Sequence, residues 1–370
     1  TTMKKEHFKT FYTKLKRKIS PYRTIVRLFL ILLITGVILL LFYLIFPRVS
    51  GLIKKIIIGP RTAISLLKAD TSSLNSFKNR TNLLILGIGG ESHEKIDLTD
   101  TIIFTSIDKK SSDTMMLSLP RDIWIDSLQT KINAVYYYGE EKEKGGGFVL
   151  IKDAIYQILN QPIHYIVLID FEGFVKALDL LEGIDVKVDR AFDDYKYPIP
   201  GKGLDKCGGD PEYKCRYEHL RFDVGLQHMD GKIALKFVRS RNAEGEEGTD
   251  FARSQRQQKI ILAVARKVFS LKTLLNPRKI IDLKKAFGEH VKFDTQFSEE
   301  QTTAFISLFL RFVKNKNEIR TISLDYGDKD SPGFLYNPQF HESKQWVLIP
   351  RAKDWKEIQR YVEEKIYKGY

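Results

Sequence analysis

The sequence predicts an α/β protein: a three-layer α-β-α domain with a central mixed sheet, preceded by one N-terminal transmembrane helix. Three observations predict it. Short apolar or β-branched runs bounded by turn residues recur as the strands of a buried sheet do. Between and after them, apolar residues return at helical spacing. One long apolar run follows a basic N-terminus.

That run comes first in the chain. Leu28 to Phe46 is apolar except for Thr35, Gly36 and Tyr43, and at about 1.5 Å per helical residue it covers roughly 30 Å of hydrocarbon. A cleaved signal peptide would show an apolar core of about 7 to 15 residues and a small-residue cleavage site. Neither is present, so the run reads as a retained single-pass anchor in the cell membrane. The nine lysines and arginines before it, against one glutamate, place the N-terminus in the cytoplasm and everything after Pro47 outside.

Residues 47–79 mix apolar and basic positions around Gly59 and Pro60 and read as a stalk, partly helical from Arg61 to Lys68. Strands are expected at Asn82–Ile88, Thr101–Ile107 and Thr114–Leu119. After the glycines at 145–147, Ile151, Ala154, Ile155, Ile158 and Leu159 recur at helical spacing, and so do Phe171, Phe174, Ala177, Leu178 and Leu181. Between these helices Tyr165–Ile169 reads as a strand, and Ile184–Val188 as the next. Such alternation predicts helices on both faces of the sheet. Residues 190–225 break the pattern as an insertion on the rim, a kind of loop that more often carries function than filler.

The insertion holds both cysteines of the chain, Cys207 and Cys215. Outside the membrane a disulfide closing this loop is one reading and two unpaired thiols the other. A zinc site would need two more ligands, and His219 is the one obvious candidate. A helix through Ile233, Ala234 and Phe237 is expected to end near Val238, and another, beginning at Asp250, sends Ile260, Ile261 and Val264 to the core. Later come a helix at Glu299–Val313, strands at Glu318–Leu324 and Gln345–Ile349, and a last helix at Asp354–Ile366. The organisation is a basic segment 1–27, the membrane helix 28–46, the stalk 47–79, a main domain 80–270 with the insertion at about 190–225, and an extension 271–370. Whether the extension joins the main sheet or forms a small lobe is left open.

The formal net charge is +14, of which the first 27 residues contribute +8. The remaining +6 is too diffuse for a DNA-binding face, so no nucleic-acid partner is expected. The arginines that matter are few. Arg121 follows a strand-like run and Pro120, so its side chain leaves from a strand end, where open α/β sheets place their ligands. Arg239 and Arg241 are two residues apart, and both can reach one ligand only if the helix stops and the chain becomes extended. Asp250, Arg253 and Gln257 fall on one helical face, with Arg256 close to it. Planar, permanently charged guanidinium forks converging on one place suit a pyrophosphate.

The stretches Leu117-Ser-Leu-Pro-Arg-Asp-Ile-Trp-Ile125, Phe237-Val-Arg-Ser-Arg241 and Gly248-Thr-Asp-Phe-Ala-Arg-Ser-Gln-Arg-Gln-Gln258 come in one order with four others: Asn82-Leu-Leu-Ile-Leu-Gly-Ile88, Leu98-Thr-Asp-Thr-Ile-Ile103, Lys131-Ile-Asn-Ala134 and Gly225-Leu-Gln-His-Met-Asp-Gly231. In that order and spacing the chain, from about Asn82 to Lys267, resembles the LytR-CpsA-Psr family of membrane-anchored phosphotransferases. The resemblance makes 80–270 the catalytic domain. It implies transfer of a glycosyl phosphate from a polyprenyl-pyrophosphate-linked glycan to a hydroxyl of a cell-wall acceptor. A lipid-pyrophosphate hydrolase and a non-catalytic, membrane-tethered regulator are the alternatives. By the same resemblance Arg121, Arg239 and Arg241 hold phosphate oxygens, Asp250 is a candidate general base, and Arg253, Arg256 and Gln257 bind substrate. Asp100, with Asp97 as a second candidate, helps to hold Mg2+. The chain departs from the family pattern at Gly89, where many relatives carry an aspartate, and at Leu98, where an arginine is frequent. A polyprenyl groove would have Tyr156, Phe171 and Phe174 as candidate wall residues. The chain shows no Ser-His-Asp signature, zinc motif or Walker-type loop.

Overall fold

The computed structural model describes residues 70–89, 98–268 and, with short interruptions, 282–368. The apolar run, the basic segment and the stalk up to residue 69 lie outside the described residues. Among the described residues, no helix is long and apolar enough to cross a membrane.

The elements in chain order are β1 (Arg80–Ile88), β2 (Thr99–Asp108), β3 (Thr114–Ser118), the short pair β4 (Trp124–Ile125) and β5 (Thr130–Lys131), α1 (Ile132–Lys142), α2 (Gly146–Leu159), β6 (Tyr165–Asp170) and α3 (Phe171–Leu180). There follow β7 (Ile184–Val188), β8 (Phe192–Pro198), β9 (Tyr217–Phe222), β10 (Gly225–Met229), α4 (Gly231–Arg239) and α5 (Asp250–Val268). The tail adds β11 (Val291–Phe293), α6 (Glu299–Lys314), β12 (Ile319–Ser323), β13 (Leu335–Tyr336), β14 (Ile349–Pro350) and α7 (Lys356–Tyr367).

Six strands form the central mixed sheet in the order β11-β6-β1-β2-β3-β12. β1 runs parallel to β6 and antiparallel to β2, and β12 runs parallel to β3. The tail therefore supplies both edge strands of the main sheet, which settles what the sequence left open. Side chains alternate across a strand, and the sheet uses both faces. Leu84, Leu86, Ile102, Phe104, Met115 and Leu117 pack with α1, α2 and α7 on one side. Leu83, Ile107, Tyr165 and Phe293 meet Phe297, Phe305 and Leu308 near and on α6 on the other.

Two expectations need correction. Ile184–Val188 is a strand, but it is not the next strand of the main sheet. It pairs with β10 in a separate two-stranded sheet, because its alternation of buried and exposed residues gives it one wet face that the interior could not hold. Gln345–Ile349 is not a strand over its length. Only Ile349 and Pro350 form a strand, while Val347 is buried without strand pairing and the buried Leu348 makes an isolated bridge to Ile123. Leu348 there accepts the Trp124 N–H and donates its own N–H to the Asp122 carbonyl, each at 2.9 Å.

The insertion contains a hairpin, β8 with β9, and beyond it a loop closed by the Cys207–Cys215 disulfide. β7 to β10, α4 and α5 share a second apolar cluster that includes Val186, Phe192, Phe222, Phe237 and Ile260. This cluster carries one wall of the cleft described below.

Two outcomes follow from this architecture. Replacing both cysteines by serine removes a local crosslink, worth about 2 kcal/mol or somewhat more; proteolysis of the variant should cut within residues 199–216 faster than in the oxidised parent, and equal cutting would contradict it. The second concerns His164, whose Nδ1 accepts the Asn82 N–H at 2.8 Å. Burial pushes its pKa down to about 4 from an ordinary 6.5. Between those values the unfolded chain binds one more proton than the folded one, so stability falls as pH drops from about 6.5 to about 4. A melting-temperature profile of His164→Gln should be flatter than the parent's across that window.

Candidate functional site

The site grows from one end of the sheet. β1, β3 and β6 finish there and β2 begins there, since β1 and β6 are parallel and β2 is antiparallel to both of its neighbours. This is the carboxyl end at which open α/β sheets bind ligands. β6 passes without a loop into α3, because Asp170 caps the helix by accepting the Gly173 N–H at 2.7 Å. That junction sets Phe171 on the floor of the site. Gly87 is needed beside it: a Cβ there would lie 3.0 Å from the Thr101 Cβ and 3.2 Å from the Phe171 ring.

A cleft of about 440 Å³ opens above this floor. It is lined by Asp100 and Thr101 of β2, Arg121 after β3, Phe171, Tyr197 and Pro198 of β8, Val238 and Arg239 of α4, Arg241 and Asn242 after it, and Arg253 and Gln257 of α5. Four guanidinium groups from three distant segments thus face one space. α4 ends at Arg239 and Ser240 takes an extended conformation, φ −55° and ψ 129°, so the chain turns where the two-residue spacing of Arg239 and Arg241 requires it.

The arginines are held by different means. Arg121 pairs with Asp100 and lies 3.5 Å from the Asp122 carboxylate. Burial works against this cation, but the two carboxylates outweigh it and raise its pKa above the ordinary arginine value. Asp122 also receives Lys131 at 2.9 Å and sits 3.9 Å from Arg241, which makes it a shared counter-charge. Arg239 lies over the Phe171 ring at 5.1 Å, a cation–π contact. Gln257 donates to the Thr101 hydroxyl at 3.2 Å.

Some expected site residues lie elsewhere. Arg256 is not in the cleft but buried, 2% exposed. Its guanidinium donates to the carbonyls of Phe237, Ser240 and Glu247 and to the Glu247 carboxylate, at 2.8 to 3.0 Å. Four of its five N–H donors are used in this way, and the side chain is sealed off from the cleft. Tyr156 is half exposed at the opposite end of the sheet, in a separate cavity with Phe77, Lys78 and Arg360, because its helical position faces away from the sheet that buries Ile155 and Ile158. Phe174 packs on the second apolar cluster; of the three candidate wall residues, Phe171 lines the cleft. Asp250 opens α5, but its side chain, like Asp97, lies outside the described residues. Asp122, Tyr197 and Asn242 line or support the cleft and were missed. For Asp122 and Asn242 the signal was adjacency to Arg121 and Arg241; Tyr197 sits in the rim insertion, where no periodicity marks a facing side chain.

For a magnesium ion, the described residues offer the Asp100 carboxylate, engaged by Arg121 through one oxygen. One carboxylate with phosphate oxygens and water is an ordinary magnesium set. The one described cluster of three potential ligands, Asp205 with Cys207 and Cys215, has its sulfurs joined in the disulfide and is no metal site.

A model of the LytR_cpsA_psr family matches residues 61–347. The chain is 26% identical over 270 residues to the polyisoprenyl-teichoic acid--peptidoglycan teichoic acid transferase TagU of Oceanobacillus iheyensis, covering 72% of this chain and 73% of that one. It is 27% identical over 243 residues to the TagU of Enterococcus faecalis, covering 64% and 68%. The crystal structure of TagV from Bacillus subtilis has the same fold, with a TM-score of 0.51 at 23% identity over 79% of this chain and 98% of that one. The chain belongs to the LytR_cpsA_psr family.

The two kinds of arginine separate in a denaturation experiment. Arg256→Ala leaves the partly exposed Glu247 carboxylate and three carbonyls without their donor and opens a cavity, and should cost about 3 kcal/mol. Arg239→Ala, on the cleft wall, should cost under about 1 kcal/mol. Equal losses would show that Arg256 is placed wrongly.

Proposed function

We propose that this member of the family transfers a glycosyl phosphate from a polyprenyl-pyrophosphate-linked glycopolymer to a hydroxyl of a cell-wall acceptor, forming a phosphodiester and releasing polyprenyl phosphate. The observation that carries the reading is the convergence of Arg121, Arg239, Arg241 and Arg253 on one cleft. Forked cations in this number suit the oxygens of a diphosphate. Phe171, Tyr197, Pro198 and Val238 supply an apolar wall beside them. The curated relatives are named for moving teichoic acid from a polyisoprenyl carrier to peptidoglycan, which supports the same substrate class here.

In this reading the acceptor oxygen attacks the sugar-side phosphorus. The bond from that phosphorus to the bridging oxygen breaks, and polyprenyl phosphate departs with the bond's electrons. The hydroxyl proton goes to a base, for which Asp250 at the start of α5 is the candidate. Phosphoryl transfer of this kind asks mainly for positioning and charge neutralisation. Arg121, fixed against Asp100 and Asp122, and Arg239, fixed on Phe171, are held in place before substrate arrives. A magnesium ion held by Asp100 and the diphosphate oxygens would add further neutralisation when bound. No covalent enzyme intermediate is required.

The placement belongs to the same proposal. Leu28–Phe46 crosses the cell membrane once, the N-terminus is cytoplasmic, and the domain works outside, where its substrate's lipid is anchored. The disulfide of the rim loop supports an oxidising surrounding.

Arg121→Ala or Arg239→Ala should lower turnover of a purified lipid-linked substrate by about 100-fold or more, as loss of a preorganised donor to developing charge does. Parent-like turnover in either variant would remove the assignment. Asp250→Ala should lower turnover with less effect on lipid binding. Assays without acceptor that still release glycan phosphate at the full rate would identify a hydrolase instead.

A further inference from the structure

Arg239 and Arg241 flank Ser240, and Ser240 is gripped from two sides by buried charges that do not line the cleft. Asp194 of β8 is wholly buried. One of its carboxylate oxygens accepts the Ser240 hydroxyl at 2.7 Å, the Arg241 N–H at 3.2 Å and the Asn242 N–H at 3.3 Å. Its other oxygen accepts the Lys196 N–H at 3.0 Å. From the opposite side Arg256 donates to the Ser240 carbonyl at 2.8 Å. Among the described residues no cation lies within ion-pair distance of Asp194. Its charge is met by neutral donors, and the opposite charge of Arg256 stands across the Ser240 residue.

A fully buried carboxylate held this way is costly to desolvate. What its bonds fix is specific. They stop α4 after Arg239, turn the chain into the extended segment, and orient the peptides on both sides of Arg241. The bond to Lys196 spans the register shift between Asp194 and Tyr197, which returns the Tyr197 side chain to the cleft. We infer that Asp194 is the positioning residue of the arginine pair, aiming Arg239 and Arg241 at one ligand through Ser240, with Arg256 as the opposing clamp. Asp194 does not touch the ligand itself.

The inference rests on the reading that the cleft binds a diphosphate, and the two can fail separately. Full-length protein in detergent micelles is titrated with farnesyl diphosphate. Parent and an Arg239→Ala, Arg241→Ala double variant come first; no difference between them defeats the diphosphate reading and the inference with it. Given a difference, Asp194→Asn should weaken binding by about tenfold in the parent but by less than about twofold in the double variant, because residues that act through one another are non-additive. Parent affinity in Asp194→Asn, or the same fold loss in both backgrounds, overturns the inference and leaves the diphosphate reading intact. Ser240→Ala, which keeps the buried carboxylate and deletes one donor, should show the same dependence on background with a loss of about threefold, and it decides the matter should Asp194→Asn fail to fold.

Discussion

Four guanidinium groups share one cleft, and the mutual repulsion of like charges is the constraint around which this part of the molecule is arranged. Two unit charges about 5 Å apart repel by roughly 3 kcal/mol at an effective dielectric of 20. No single partner relieves this. Asp100 and Asp122 balance Arg121, Asp122 also approaches Arg241, and the face of Phe171 receives Arg239. Among the described residues, more positive than negative charge lines the cleft, and in the proposed function a polyanionic ligand would complete the balance. The same excess that would destabilise an empty site would, in the proposed function, provide affinity for a diphosphate.

The fold supplies the platform on which such crowding is tolerable. Phe171 is fixed because β6 runs directly into a capped helix, and it can approach the sheet because Gly87 has no side chain. Arg121 is fixed because its segment continues from β3 and is tied to β2 by Asp100. The opposite wall belongs to a different cluster, built by β7 to β10, α4 and α5. The cleft is therefore the seam between two hydrophobic assemblies, and each contributes arginines that the other could not place. Preorganised charge of this kind needs no rearrangement when a reaction builds charge on phosphate oxygens.

A buried arginine and an arginine in a binding site look alike in a sequence. Arg253 and Arg256 are three residues apart on α5, near one helical face, yet one lines the cleft and the other is sealed among carbonyls. Three residues on a helix advance about 300°, a difference of some 60° in direction, and that is enough to decide between solvent and interior. Tyr156 and Phe171 differ in the same way, both aromatic on amphipathic helices but at opposite ends of the sheet.

The sequence by itself determined many of the elements, though not α1, β8 to β10 or β11, and the order of the chemistry. Runs such as Asn82–Ile88 and the spacing from Ile151 to Leu159 fixed strand and helix because burial periodicity is local, and the motif around Arg121 marked a strand end because proline interrupts pairing. Tertiary structure alone decided which strands share a sheet, that residues 291–293 and 319–323 close its edges, and that Ile184–Val188 leaves it for β10. It also decided that Asp194, in an insertion without periodicity, meets Ser240 some 46 positions away. The reason is physical: hydrogen bonding and desolvation act across space, whereas pattern records only what neighbours along the chain must do.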